Sequence, residues 1–120
     1  MKVMSDKALI SSIGAGYEKV QGKIVDAAQA SGRDPGSVKL ITVTKKQPVP
    51  VVEAAIAAGI TIFGENYPEE AVKKMQSLGK GNTVEWHMIG HVQSRKARLV
   101  AENFSLMHSL DSVKLAHRLD

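Results

Sequence analysis

The segment LITVTKKQPV, residues 40–49, decides the fold of this chain. It is a short β-branched run that ends in two lysines, and Pro48 follows after one further residue, Gln47. Pro35-Gly36 lies just upstream of the run. Because proline lacks an amide donor and bounds an element at either end, the run predicts a buried strand over residues 38–43 and not a helix.

Helical and strand patterns alternate on both sides of this strand. Apolar residues spaced three and four apart predict a first helix that Ser5 or Asp6 caps and Gly32 ends. This apolar stripe comprises Ile10, Ile13, Tyr17, Val20, Ile24 and Ala27. The later patterns predict helices over residues 50–58, 68–78, 94–102 and 112–119, strands over 60–63, 84–89 and 106–110, and a turn over 79–82. The order is one helix followed by four strand–helix units.

Strands separated by helices favour an α/β fold with a parallel sheet, because parallel neighbours need a crossover connection. Four such units fit either a small open doubly wound sheet or half of an eight-unit barrel, and periodicity does not choose between them. In both architectures, ligands bind where the strands give way to the following loops. These predicted loops are polar throughout and comprise residues 44–48, 64–68, 90–94 and 111–112.

The two lysines of the opening segment are predicted to point to opposite sides. With a strand period of two, Lys45 shares a face with Ile41 and Val43, whereas Lys46 does not. If that face lines a barrel, Lys45 enters the mouth of the core, where partial desolvation and the neighbouring cation favour an uncharged amine. Such an amine forms Schiff bases with aldehydes. The simpler alternative is that Lys45 ends its strand in water, as most lysines do.

The composition is that of one globular domain of 120 residues, with 43% hydrophobic and 23% charged residues. No apolar stretch approaches the length of a membrane span, and the absence of cysteine excludes disulfides and thiolate catalysis, so a cytoplasmic protein is expected. The histidines show no spacing typical of a metal site, and no metal is predicted. A net charge of +4 permits phosphorylated ligands or nucleic acid without specifying either.

Four motifs together resemble the pyridoxal phosphate homeostasis protein family. They are TKKQP at 44–48, FGENY at 63–67, EWHMIGHVQS at 85–94 and HSLDS at 108–112. Their order and spacing over nearly the whole chain are more specific than any one motif. Arg95 stands where the family commonly has asparagine, a small departure.

The resemblance implies a (β/α) barrel of TIM type, similar to the N-terminal barrel of alanine racemase. Only about the first four units would be present, so that residues 1–120 form the N-terminal half of a pyridoxal-phosphate-binding domain. It implies a protein of vitamin B6 homeostasis, without an established reaction, that holds pyridoxal 5'-phosphate as an aldimine of Lys45. Asn66 would flank the ring. Trp86 and His87 alternate in the third strand, so one is expected to face the barrel and the other the helices, and His87 is a further pocket residue. Glu65 and Tyr67 are weaker candidates.

Length is the main departure from the family, whose members are roughly twice as long, as suits a complete barrel of about 250 residues. In the family, the phosphate of the cofactor is held by the later strands. We therefore expect the chain to self-associate or to pair with a missing C-terminal half.

Three other functions are alternatives. A pyridoxal-phosphate enzyme such as a racemase needs an acid–base partner and usually a second domain. An aldolase-like enzyme could use Lys45 without cofactor. A nucleic-acid module could use Lys73, Lys74, Lys80, Arg95, Lys96 and Arg98, but only 4% of residues are aromatic. Lys73, Lys74, Arg95, Lys96 and Arg98 lie on predicted helices flanked by Glu69, Glu70 and Glu102. Most of these are expected to form a solvated surface of mixed charge, with no nucleic-acid and no membrane partner.

Overall fold

The computed structural model describes residues 6–79 and 83–120. Ser5 of the predicted cap and residues 80–82 of the predicted turn lie outside this part. Lys80, one of the basic residues considered for nucleic-acid binding, is among them. The helices are α1 (Asp6–Ala30), α2 (Val49–Ala57), α3 (Pro68–Leu78), α4 (Ala97–Asn103) and α5 (Val113–Leu119). The strands are β1 (Thr42–Val43), β2 (Ile62–Glu65), β3 (Glu85–Met88) and β4 (Leu106–Met107), and short 3-10 helices span Pro35–Ser37 and Ser94–Lys96. None of the described helices combines the length and hydropathy that a membrane-spanning segment requires.

The chain divides into two units, of which the first contains the described part of residues 1–40 and residues 50–60. It holds α1 and nearly all of α2. Gly32 and Gly59 follow these helices with φ of 74° and 97°, a conformation that glycine adopts without a Cβ penalty. Val20 and Ala27, which belong to the predicted apolar stripe of α1, are exposed, whereas Ala28 is buried.

The second unit, residues 41–49 and 61–120, is built on a parallel four-stranded sheet. The strands lie side by side in chain order, β1-β2-β3-β4. Val43 pairs with Gly64, Gly64 with His87 and His87 with Leu106. The predicted α/β class with a parallel sheet is therefore confirmed.

The register divides the side chains of this sheet between two faces. We call one the Val43 face, which carries Val43, Gly64, His87 and Leu106. The other, the helix face, carries the aromatic pair Phe63 and Trp86, with ring centroids 5.3 Å apart. The helix face also carries Met88, which packs with residues of α4, α5 and the preceding loop in a buried cluster of Met88, Val92, Ala97, Val100 and Leu115.

Several predicted boundaries were wrong. β1 is limited to two residues instead of spanning residues 38–43, because only Thr42 and Val43 find partners on β2. β2 begins and ends two residues later than predicted, so Gly64 and Glu65 belong to the strand and not to the loop. β4 is also shorter than predicted. The predicted fourth helix begins as a 3-10 turn before α4.

Candidate functional site

The turn after β1 carries the predicted reactive lysine. The amide of Gln47 donates to the carbonyl of Thr44 over 3.0 Å, which closes a turn of four residues. Lys45 follows the strand in this turn and is exposed, so the partial desolvation expected for it is not observed. Among the described residues, Lys45 makes no side-chain hydrogen bond or ion pair. Lys46 has φ of 61°, a left-handed conformation that is uncommon for a residue with a side chain.

Asn66 directly follows β2. It lies at the carboxyl end of the sheet, as Lys45 does. Since Val43 and Gly64 are partners in the register, Lys45 and Asn66 each lie two residues beyond a paired position on neighbouring strands. The Oδ1 atom of Asn66 is buried and accepts no hydrogen bond from the described residues. The carboxyl end of the sheet thus carries an exposed amine on Lys45 and a buried amide oxygen on Asn66 that accepts no hydrogen bond from the described residues.

Gly90 allows the loop after β3 to approach Asn66. A Cβ atom at residue 90 would lie 2.5 Å from the carbonyl oxygen of Asn66 and 2.8 Å from its Cα. Both distances are far shorter than a van der Waals contact, so only glycine fits there. The sequence marked the loop as polar and glycine-led but did not show this contact.

His87 lies on the Val43 face of β3, one residue before the strand ends. It is 3% exposed, and both of its ring nitrogens have partners. Nδ1 lies 3.1 Å from His108 Nε2, and Nε2 lies 3.1 Å from Glu85 Oε2. No hydrogen bond among the described residues joins His87 to Lys45 or Asn66. The structure therefore places His87 in a polar pair with His108, a partner that sequence analysis did not identify.

Trp86 and His87 were predicted to face opposite sides of β3. Trp86 pairs with Phe63 on the helix face, while His87 pairs with Gly64 on the other.

Within the described residues, no group of three or more histidine, aspartate or glutamate side chains could hold a metal ion.

A surface pocket of about 740 Å³ opens beside Asn66 and Tyr67. Its walls include Lys73, His91 and Lys96 as well as Glu69. Lys96 donates to Glu69, and this hydrogen bond, together with the charge of Lys96, lowers the pKa of Glu69. Charges of both signs therefore line the pocket.

Part of the predicted mixed-charge surface is confirmed. Besides the Lys96–Glu69 pair, Arg98 donates to Glu102 over 2.6 Å, and this bond raises the pKa of Arg98. Pairs of this kind, exposed to water, contribute little to stability.

Lys74 is the exception, because it is buried and not on a solvated surface. Its side chain is 6% exposed and its Nζ atom donates to the Thr44 carbonyl at 2.6 Å and to Glu65 Oε2 at 2.9 Å. Glu65 is fully buried and also accepts a hydrogen bond from the hydroxyl of Thr44. The contacts among Thr44, Glu65 and Lys74 were not predicted from the sequence. Their one visible signal is the spacing of Glu70 and Lys74, which are four apart on α3 and form an ion pair of 3.2 Å.

These features define an α/β protein with a lysine and an asparagine at the carboxyl edge of a parallel sheet. No protein-family model matches the sequence. Curated relatives do match it, and the pyridoxal phosphate homeostasis protein of Pseudomonas aeruginosa is 46% identical over 110 residues, 92% of this chain. That of Escherichia coli is 41% identical over 114 residues. The chain spans about half the length of these relatives, 47% and 48% respectively.

Solved structures agree with this relationship. A structure of PipY from Synechococcus elongatus with pyridoxal phosphate bound is 41% identical, with a TM-score of 0.68 over 80% of this chain and 46% of PipY. An unknown protein from Bifidobacterium adolescentis gives a TM-score of 0.82 at 30% identity, over 99% of this chain and 52% of the other. Over the matched residues, the chain belongs to the family of the pyridoxal phosphate homeostasis proteins, as its motifs indicated. These relatives are named for homeostasis of a cofactor and not for a reaction.

Proposed function

We propose that the chain is the N-terminal half of a pyridoxal-5'-phosphate-binding protein that serves vitamin B6 homeostasis in the cytoplasm. The observation that carries this proposal is the structure of PipY with pyridoxal phosphate bound, at 41% identity over most of this chain. We further propose that the protein binds the cofactor without catalysing a reaction, in agreement with the names of its relatives.

The proposed architecture is a (β/α) barrel of TIM type, to which residues 1–120 contribute about the first four units. The parallel strands lie in chain order, as consecutive units of a barrel do. A doubly wound sheet instead reverses its strand order at a switch point. The helices on one face of the sheet and the partly exposed Val43 and Leu106 on the other support the barrel.

Lys45 is the residue we propose to hold the cofactor, as an aldimine. Its amine would attack the aldehyde carbon of pyridoxal 5'-phosphate, form a carbon–nitrogen double bond and release one water molecule. The exposure of Lys45 and its lack of a side-chain partner among the described residues leave the amine accessible.

Asn66 and His87 have proposed roles beside Lys45. The buried, unbonded Oδ1 of Asn66 suits a polar aromatic ligand, because an unsatisfied buried acceptor costs free energy until a donor reaches it. His87 would contribute to the cofactor-binding pocket from the Val43 face of the sheet. Its two hydrogen bonds, to Glu85 and His108, fix the orientation of its ring.

The test is to add pyridoxal 5'-phosphate to the purified protein and to record its visible absorption before and after borohydride reduction. We expect a band that reduction removes, and a pyridoxyl group on the peptide that contains Lys45. Lys45→Ala should abolish this adduct, whereas Lys46→Ala, the matched control on the same turn, should retain it. A pyridoxyl group on Lys46, or spread over surface lysines without preference, would contradict the assignment.

A further inference from the structure

Three charged side chains lie against the turn that carries Lys45. We call Glu65, Glu70 and Lys74 the acid–lysine cluster. Lys74 Nζ donates to the carbonyl of Thr44 over 2.6 Å, and the amide of Lys46 donates to Glu70 Oε1 over 3.0 Å. The cluster thus contacts the residues immediately before and after Lys45.

The cluster has a defined geometry because three oxygen atoms surround the ammonium group of its lysine. An ammonium group has three N–H donors, and Lys74 Nζ has three acceptors within reach. These are the Thr44 carbonyl, Glu65 Oε2 at 2.9 Å and Glu70 Oε1 at 3.2 Å. Glu65 and Lys74 are both buried, and a buried charge is tolerated only when it is paired and hydrogen-bonded. Lys74 therefore has little freedom to move away from the turn.

The backbone at this turn needs such support. Lys46 adopts φ of 61°, and a residue with a Cβ atom pays a steric penalty there. Strained conformations of this kind persist only where the surroundings fix them, and they concentrate at functional sites. The Thr44 carbonyl accepts from both Gln47 and Lys74, so the cluster holds the start of the turn while Glu70 holds the amide of the strained residue.

We propose that the acid–lysine cluster consists of positioning residues that orient Lys45 toward its ligand from the opposite side of the sheet. This inference rests on the proposed function of Lys45. The cluster acts through the backbone of Thr44 and Lys46, and no bond to the ligand is assigned to it. Its loss lets the turn relax and leaves the amine of Lys45 without a fixed direction.

The experiment compares Lys74→Met with Lys114→Met, since Lys114 is an exposed lysine on α5 that does not line the pocket beside Asn66. Each variant is treated with limiting pyridoxal 5'-phosphate and borohydride, and peptide mapping gives the ratio of label on Lys45 to label on Lys46. Misplacement of a reacting group costs one or two orders of magnitude in rate, so we expect this ratio to fall about tenfold or more in Lys74→Met. It should stay at the wild-type value in Lys114→Met.

Amide exchange measured by NMR supplies a readout that needs no cofactor. We expect the amides of Lys46 and Gln47 to exchange faster in Lys74→Met than in Lys114→Met. If Lys74→Met does not fold, the double variant Glu65→Gln/Lys74→Met takes its place, because it leaves no unpaired buried charge. A double variant that regains stability but keeps a low labelling ratio separates positioning from general structural support.

The outcomes distinguish the two proposals. A wild-type protein without label on Lys45 overturns the proposed function, whatever the exchange rates are. Unchanged exchange at Lys46 and Gln47 in the cluster variant overturns the positioning role, whatever the labelling is. An equal labelling ratio in the Lys74 and Lys114 variants also overturns it.

Discussion

Gly90 shows how one residue can determine the shape of this site. A methyl group at residue 90 would overlap the backbone of Asn66, which cannot rotate away as a side chain can. We expect Gly90→Ala to lower the free energy of unfolding by about 1–3 kcal/mol or more, the usual cost of overpacking. Urea denaturation measures this change.

The control is Gly22→Ala in the middle of α1, where no described atom beyond the neighbouring residues and the backbone of the helix itself lies within 4 Å of the added methyl group. Alanine is the better helix former, so this variant should gain about 0.5–1 kcal/mol. Effects of opposite sign in the two variants would separate backbone overlap from a general response to alanine. A Gly90→Ala protein as stable as the wild type would show that the loop moves freely away from Asn66.

At the residue scale, the sequence predicted positions along a strand better than partnerships across the fold. A period of two predicted that Trp86 and His87 face opposite sides, and the register agrees. The same period could not show that Glu65 meets Lys74, because that contact depends on how α3 packs over β2. Charged residues are read as exposed by default, which is why Lys74 was misassigned.

An ion pair between Glu69 on α3 and Lys96 before α4 connects two elements of the fold. This pair lowers the pKa of Glu69 below its ordinary value of 4.5. A carboxyl with a lower pKa in the folded state contributes stability above the ordinary value and loses it as pH falls through the folded value. We therefore expect a small loss of stability in wild type below about pH 4.5 that Glu69→Gln lacks.

Urea midpoints measured against pH for both proteins test this expectation. The difference should shrink in high salt, because both groups are accessible to water. Glu102→Gln, which breaks an exposed pair within α4, is a control that leaves the contact between α3 and the 3-10 helix intact. Identical pH profiles for wild type and Glu69→Gln would show that the pair does not form in solution.

Helix limits were easier to predict than strand limits. α3 spans the predicted residues 68–78, because Pro68 fits a first helical turn and Gly79, with φ of 74°, ends the helix. These are local signals. The extents of β1 and β4 depend on how many residues find a partner on the next strand, and the apolar pattern carries no such information.

At the scale of the whole molecule, the net charge of +4 invites the question of nucleic-acid binding. Lys74, Lys96 and Arg98 are paired with carboxylates, which leaves less free positive charge than the composition suggests. We expect only weak, salt-sensitive retention in a filter-binding titration at physiological salt. Tight and sequence-selective retention would reverse this expectation.

Self-association is the expectation that follows from the sheet as a whole. Val43 and Leu106 lie on the Val43 face, and each is 49% exposed. Within the described residues, β1 and β4 each pair on one side only, and unpaired strand edges invite a partner. We therefore expect sedimentation velocity to show concentration-dependent association of the chain with itself.

The variant Val43→Ser/Leu106→Ser should reduce this association, because it removes two exposed apolar side chains from one face. Val113→Ser is the matched control, since Val113 is 74% exposed but lies on α5. Adding a separately expressed C-terminal half of a relative should compete with self-association if the Val43 face is the interior of a barrel. A monomer at every concentration, with cooperative unfolding and no response to that half, would contradict both the pairing and the barrel proposed here.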